Sequence, residues 1–478
     1  MKKYILFGFM SAMLMLSSCD NFLDVTPKGQ SVLDNTDEYL GLVAGVMDLY
    51  DTQYFNYYSG EQSGYPIIDF TENNGGDYTL AYAGFAWDES VDRYQYMPGG
   101  ETDLYTASYN RIARYNTLIN NIGDAEGPNE DKVLGIAQAK IMRAYNYFIL
   151  VNTYAKMYDK ATAATDNGII LHTEMDLEAD SKQYTVQEVY DFILDDIKAA
   201  LPDLPERAED VYRPDRYFGY ALYAKVLLFM GDYEGALAAG LDALKSDYHQ
   251  LKDYNTNYEE LLASGFPESM MYSFVKNDVD DPENLLFAHG INTLDQVAAW
   301  ISKGYIDLFD LANDLRFKFF FMQMSGNPKA EQGAYSMMVS NWKWNTSGIR
   351  LAEVYLMVAE CYARANEKDE ALKYLNDLRE KRFKKDNYQP ATAENAEEAL
   401  QLIRDERKRE LLMSYNSYFD ARRFCKEFGE SLSKEVTWKN SAGEMETKTY
   451  TLSSNSPLLI FPFPQNAMNN SPLVQNTK

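Results

Sequence analysis

Two stretches that each read as helix, short break and helix constrain this chain more than any other feature. Tyr217 to Met230 is apolar almost all round, Gly231-Asp232 interrupts it, and Tyr233 to Lys245 resumes with Ala236 and Ala239 as small residues at contact positions. Arg350 to Arg364 is followed in the same way by Asn366-Glu367 and then by Asp369 to Lys385, with Ala371 and Leu375 facing inward. Helix pairs of this kind cannot bury their apolar faces alone and have to stack on further pairs. The spacing of apolar residues supplies candidates: a first helix from Ser31 to Tyr50, then Tyr105 to Ile122, Lys132 to Tyr158, and Thr185 to Leu201, the last stopped by Pro202 and Pro205.

The two units resemble tetratricopeptide repeats. Gly231, Tyr233 and Ala236 reproduce the Gly-x-Tyr-x-x-Ala rhythm, while the second unit departs from it with Asn366 and Glu367 at its turn. The expected fold class is therefore all-α, with tetratricopeptide-like helix pairs forming a scaffold. Two segments break the helical pattern. Residues 51–103 are rich in Tyr, Gly and Asn, and residues 265–348 carry Trp300, the run Phe317 to Phe321, and Trp342 with Trp344. Long irregular insertions held by a rigid frame are where binding residues usually lie. The proline-rich tail from Ser456 to Asn476, with its apolar run Leu458 to Phe463, reads as an extended segment clamped on the body.

The N-terminus places the protein. Lys2-Lys3, the apolar run Tyr4 to Leu16 and the small residues before Cys19 form a secretory signal too short to span a bilayer. Leu16-Ser17-Ser18-Cys19 resembles a bacterial lipobox, which implies a signal peptide over residues 1–18, acylation of Cys19, a tether over 19–30, and one helical domain over 31–478. More than one acyl chain gives stable attachment to a membrane. Cys361 and Cys425 are too few for a disulfide framework, and Cys361 in the run Val354 to Ala365 reads as a buried hydrophobe. The net charge of −27 argues against a nucleic-acid partner. His172, His249 and His289 have no metal-ligand spacing, so neither a metal nor another cofactor is expected. Asp278, Asp280, Asp281 and Glu283 lack EF-hand spacing and read as a solvated acidic loop in preference to a calcium site. Glu406, Arg407, Arg409 and Glu410 read as structural charges paired along one helix.

Segments in order then resemble the RagB/SusD nutrient-binding outer-membrane lipoproteins. They are Cys19 to Asp24 with Pro27, Arg143-Ala144 with Tyr147-Phe148, Thr185 to Pro205, Arg213 to Leu251, Arg350 to Leu356 with Leu375 to Arg379, Glu406 to Leu411 with Asp420 to Arg423, and Pro462 to Pro464 with Gln475-Asn476. Tyr154 to Tyr158 lacks the family's glycine and proline, and Ser414 to Ser417 replaces its Glu-Gly-x-Arg. The resemblance implies four helix pairs, no catalytic residues, a place in the outer membrane facing outward, and capture of oligosaccharide for a SusC-like TonB-dependent β-barrel transporter.

Physical chemistry then nominates a ligand site. Trp87 and Trp300, supported by Tyr78, Tyr82 and Tyr94, are expected to form a platform for sugar rings, with Asp77, Asn74 and Asp88 meeting the hydroxyls. Three alternatives stay open: an interaction scaffold with no small ligand, a binder of peptide or another nutrient, and a glycoside hydrolase, which needs two carboxylates at a fixed separation across the sugar.

Overall fold

The computed structural model describes residues 33–43, 48–50, 55, 57–60, 76–101, 103–174, 181–272, 278–291, 299–301, 303–323, 335–337, 344–439 and 442–477. The lipobox with Cys19 lies outside them. The scaffold is built from α1 (Leu104–Asn121), α2 (Asn129–Tyr154), α3 (Val186–Ala200), α4 (Arg216–Met230), α5 (Tyr233–Ala243), α6 (Leu351–Arg364), α7 (Lys368–Glu380), α8 (Ala396–Glu410) and α9 (Tyr415–Phe428). Each of α1 to α5 packs on the next, α5 packs on α6, and α6 packs on both α7 and α8. This is the stacking that the repeat pattern demands.

Local chemistry fixes where the helices begin and end. Asp103 caps α1 by accepting from the Thr106 amide at 2.9 Å, and Thr185 with Glu188 forms a reciprocal capping box on α3. Gly231 ends α4 in the left-handed region, and Asp232 starts α5 by accepting from the Gly235 amide at 3.0 Å. Asn366 adopts φ 63° at the matching turn between α6 and α7, so the departure from the glycine rhythm keeps the same backbone shape. α2 ends at Tyr154, short of the expected Tyr158, where the Arg422 guanidinium donates to the Ala155 carbonyl at 2.6 Å. α7 likewise ends at Glu380 and not at Lys385.

The first helix needs correcting more. Among the described residues it spans Thr36–Gly41 only, and Asp48–Tyr50 is a strand in parallel register with His289–Ile291 of the second insertion. A hairpin of Leu432–Lys439 and Met445–Leu452, unforeseen from the sequence, follows α9. The tail is clamped as expected. The Phe461 amide donates to the Thr153 carbonyl at 3.0 Å, Arg93 donates to the carbonyls of Pro457 and Ile460 at 2.9 Å each, and Phe463 is fully buried.

A buried ion network ties the second insertion to the repeats. Glu410 accepts from Arg316, Arg350 and Arg382, and Glu406 pairs with Arg316, Arg379 and Arg409. The structural role read for these residues stands, but apart from Arg409–Glu406 the partners come from distant segments and not from the same helix. The acidic loop is also corrected: Glu283 is fully buried between Arg350 at 2.8 Å and Arg382 at 2.5 Å, and Asp281 is buried against Lys252 at 2.9 Å. Unpaired burial of such charges is costly, so they are sequestered as a satisfied set.

Candidate functional site

α8 and α9 run from the network to a cleft where both insertions arrive. Arg404, Arg407 and Lys408 of α8 face Ser417, Asp420 and Phe424 of α9, with Glu430 and Leu432 leading into the hairpin. Ser59 enters from the first insertion and Tyr305 from the second. The space, open mouth included, is about 510 Å³. A second void of about 460 Å³ lies beneath Phe320 and Trp344 against Arg350, Glu353 and Glu410, where the polar walls belong largely to the ion network.

The walls of the cleft are pre-set by hydrogen bonds. Arg407 donates to both Asp420 oxygens at 2.7 and 3.1 Å, and Arg423 holds the same carboxylate from behind at 3.0 Å. Arg423 also pairs with Glu360, and the guanidinium groups beside that buried carboxyl hold it well below the ordinary carboxylate range despite its desolvation. Arg404 pairs with Glu430 and lies over two rings, 4.7 Å from the Phe424 centroid and 4.2 Å from that of Phe428. Lys408 keeps 39% of its side chain exposed, with Asp405 at 3.7 Å. Tyr305 is half-buried and packs on the apolar cluster of the second insertion. Forked donors, carboxylate acceptors and aromatic rings on one rim suit a ligand with many hydroxyls and apolar C–H faces. Cys425 lines the floor, where burial pushes its thiol up to about 11, so it does not act as a nucleophile.

Of the expected platform residues, the structure describes the side chains of Trp87, Tyr82, Tyr94 and Asp88, and Trp87 is not open to a ligand as expected from sequence. Trp87 is corrected: it is 5% exposed, takes φ 46°, donates from Nε1 to the Tyr58 carbonyl at 3.2 Å, and has Lys434 Nζ 4.4 Å above its ring. As it stands it staples the first insertion and presents no open face. Tyr82 is partly buried on the core, Tyr94 is half-buried and its carbonyl accepts from Gln465 at 2.9 Å, and Asp88 closes a turn by accepting from the Ser90 amide and hydroxyl at 2.9 and 2.6 Å. Tyr78 and Asp77 belong to the helix Gly76–Ala86, and Trp300 pairs in a strand with Ser336, but their side chains lie outside the description. Asn74 lies outside the described residues. Trp344 is buried at 5% exposure, 4.7 Å from Phe320. The sequence reading overlooked Tyr305 and Lys408 and gave Arg407 only a structural role. A signal for them existed, since the apolar-charged periodicity of α8 leaves Arg404, Arg407 and Lys408 on one face.

The helical repeat scaffold carries an aromatic and charged cleft lined from two insertions, and among the described residues no helix is long and apolar enough to cross a bilayer. The chain belongs to the SusD/RagB family. The SusD family model matches residues 307–478, and a second model, described as starch-binding associating with outer membrane, matches residues 21–228. The fold is similar to that of a SusD superfamily protein from Bacteroides thetaiotaomicron, at TM-score 0.70 and 19% identity over 93% of this chain and 100% of that one. It is similar also to a putative sugar binding protein from Bacteroides vulgatus, at TM-score 0.66 and 18% identity, covering 94% and 99%. A SusD-like carbohydrate binding protein from Bacteroides fragilis aligns at TM-score 0.59 and 15% identity, covering 93% and 98%. No curated protein sequence matches the chain.

Proposed function

We propose that the protein captures an oligosaccharide in the cleft between α8, α9 and the two insertions and hands it, unhydrolysed, to a partner TonB-dependent β-barrel transporter. On this reading Cys19 carries the lipid anchor and the protein faces outward from the outer membrane. The observation that carries the reading is the meeting of Ser59 and Tyr305, from separate insertions, over one charged and aromatic wall. The names of the structural neighbours, sugar binding and carbohydrate binding, support the cargo class.

The energetics fit transient capture. One or two stacked rings at ~1 kcal/mol each and about three net hydrogen bonds at ~1 kcal/mol give roughly 5 kcal/mol, a dissociation constant on the order of 0.1 mM. Cargo held this weakly leaves readily for a transporter. Catalysis finds no support at the cleft, because Asp420 is held by Arg407 and Arg423 and Glu430 by Arg404, so neither is poised to protonate a glycosidic oxygen. Titration calorimetry against starch, xylan, pectin, mannan and mucin glycans tests the reading. One class should bind without hydrolysis, and Tyr305→Ala with Lys408→Ala should weaken it at least tenfold; full affinity in that variant would place the site elsewhere.

A further inference from the structure

Two residues beyond Leu432, on the same strand, Lys434 is buried with no hydrogen-bond partner for its amine among the described residues. Its Nζ lies 4.6 Å from the Phe85 ring centroid, 4.4 Å from Trp87 and 5.9 Å from Tyr450. An ammonium over ring faces gains a cation–π attraction, but no acceptor among the described residues replaces its lost hydration. Burial is the whole cause of its depressed pKa, about 7. The same walls bound the cage and the cleft. Leu432 and Ser59 line the cleft, whereas Lys434 and Gly60 line the cage, and Gly60 sits so near that a Cβ there would stand 2.9 Å from Trp87 Cζ2.

We propose that the aromatic cage of Phe85, Trp87 and Tyr450 is a capped extension of the cleft, closed by Lys434, and that when the amine withdraws the cage accepts a further sugar ring of the oligosaccharide held in the cleft. The ligand half rests on the glycan-binding reading above; the cap does not. A ring face covered by an ammonium is the face on which a sugar would stack. Lys434 thus occupies the place of the next sugar unit.

Titration gives the cap a direction. The groups around it are Tyr450 and Lys448 from the hairpin, Tyr82 and Asp88 from the helix Gly76–Ala86 and its following turn, and Tyr58 from the segment carrying Ser59, with Arg93 beside it. The Tyr450 phenol is pushed up to about 12, and burial raises those of Tyr82 and Tyr58 as well, so these stay protonated while Lys434 titrates. A withdrawn lysine regains its ordinary value of 10.5, whereas the docked one loses its proton near 7. Between those limits each unit rise in pH therefore disfavours opening about tenfold, and below pH 7 the opening is independent of pH.

Hydrogen exchange on the full chain in detergent, without glycan and corrected for intrinsic exchange rates, reads the cap directly. In wild type the opening constant for residues 80–90 and 432–452 should fall about tenfold per unit between pH 7.5 and 9.5. Lys434→Met, which keeps the stem and removes the charge, should show no slope. A flat wild type, or an equal slope in both, overturns the cap. Calorimetry with maltohexaose, xylohexaose and mannohexaose at pH 7 reads the cage. Lys434→Ala should bind one of them about fivefold more tightly than wild type, a stacked ring's worth, and wild-type affinity for it should weaken by pH 9. Equal affinity in the two proteins overturns use of the cage and leaves the cleft reading intact. Binding of none of the three, nor of pectin or mucin glycans, by either protein overturns the ligand half together with that reading, while the exchange slopes still decide the cap.

Discussion

Trp87 shows how far one residue can be read from its neighbours in sequence. Its position in an aromatic, glycine-rich insertion suggests a stacking platform, yet Tyr58, Gly60 and Lys434 enclose it. Lys434 comes from near the far end of the chain, and no local pattern announces that contact. Burial of an indole is a packing decision made by partners. Trp87→Ala should accordingly cost about 3–5 kcal/mol of stability in glycan-free protein, by the usual loss for deleting a large buried ring; a denaturant titration indistinguishable from wild type would show that the staple carries no weight. Arg382→Met makes the complementary point for charge. It leaves Glu283 and Glu410 buried and short of a partner, so a loss of roughly 3–5 kcal/mol is expected from the same measurement.

Among the elements, helices were legible and strands were not. The spacing of apolar residues placed α1 to α7 because each helix carries its own period, and the breaks at Gly231 and Asn366 marked the turns. The short strand at Asp48–Tyr50 exists through its partner His289–Ile291, which no window around it contains. The hairpin had a local signal, the alternating Thr447, Thr449 and Thr451 after the turn near Gly443. Two substitutions probe the helix pairs. Gly240 lets α5 approach α6, and a Cβ there would meet Val358 Cγ2 at 2.7 Å, so Gly240→Val should cost about 1–3 kcal/mol and lower the melting temperature. Asn366→Gly should be neutral or stabilising, because φ 63° suits glycine, whereas Asn366→Ala should destabilise. The reverse order of melting temperatures for these two would contradict the shared turn geometry.

At the scale of the molecule, the ion network joins segments that the repeats alone would leave apart: the second insertion through Asp314 and Arg316, the strand region through Glu283 and Arg350, and α7 and α8 through Arg379, Glu406 and Glu410. Surrounding guanidinium groups outweigh desolvation at Glu406, Glu360 and Glu410 and hold their carboxyls low, Glu410 at about 2. Groups with depressed folded values add stability that is complete above their ordinary value of 4.5 and is lost as the pH falls toward their folded one. Burial raises Glu283 in the opposite direction, so it offsets part of that gain. The melting temperature should fall steeply between pH 4.5 and 2; a constant value across that window would show that the network carries little of the fold. The sequence composition anticipated an acidic protein, but the pairing rests on contacts between residues far apart in the chain, such as Arg382 with Glu283, 99 positions away, and Arg316 with Glu410, 94 away.

The central claim is that both insertions serve one glycan site on the α8–α9 wall. Its most direct measurement is calorimetric titration of the full chain against the glycan panel, wild type beside the Tyr305→Ala and Lys408→Ala double variant, with circular dichroism to confirm equal folding. Binding of a single glycan class near 0.1 mM, without released reducing ends and at least tenfold weaker in the variant, is the predicted result. Binding that ignores the cleft substitutions, or none across the panel, would contradict the account.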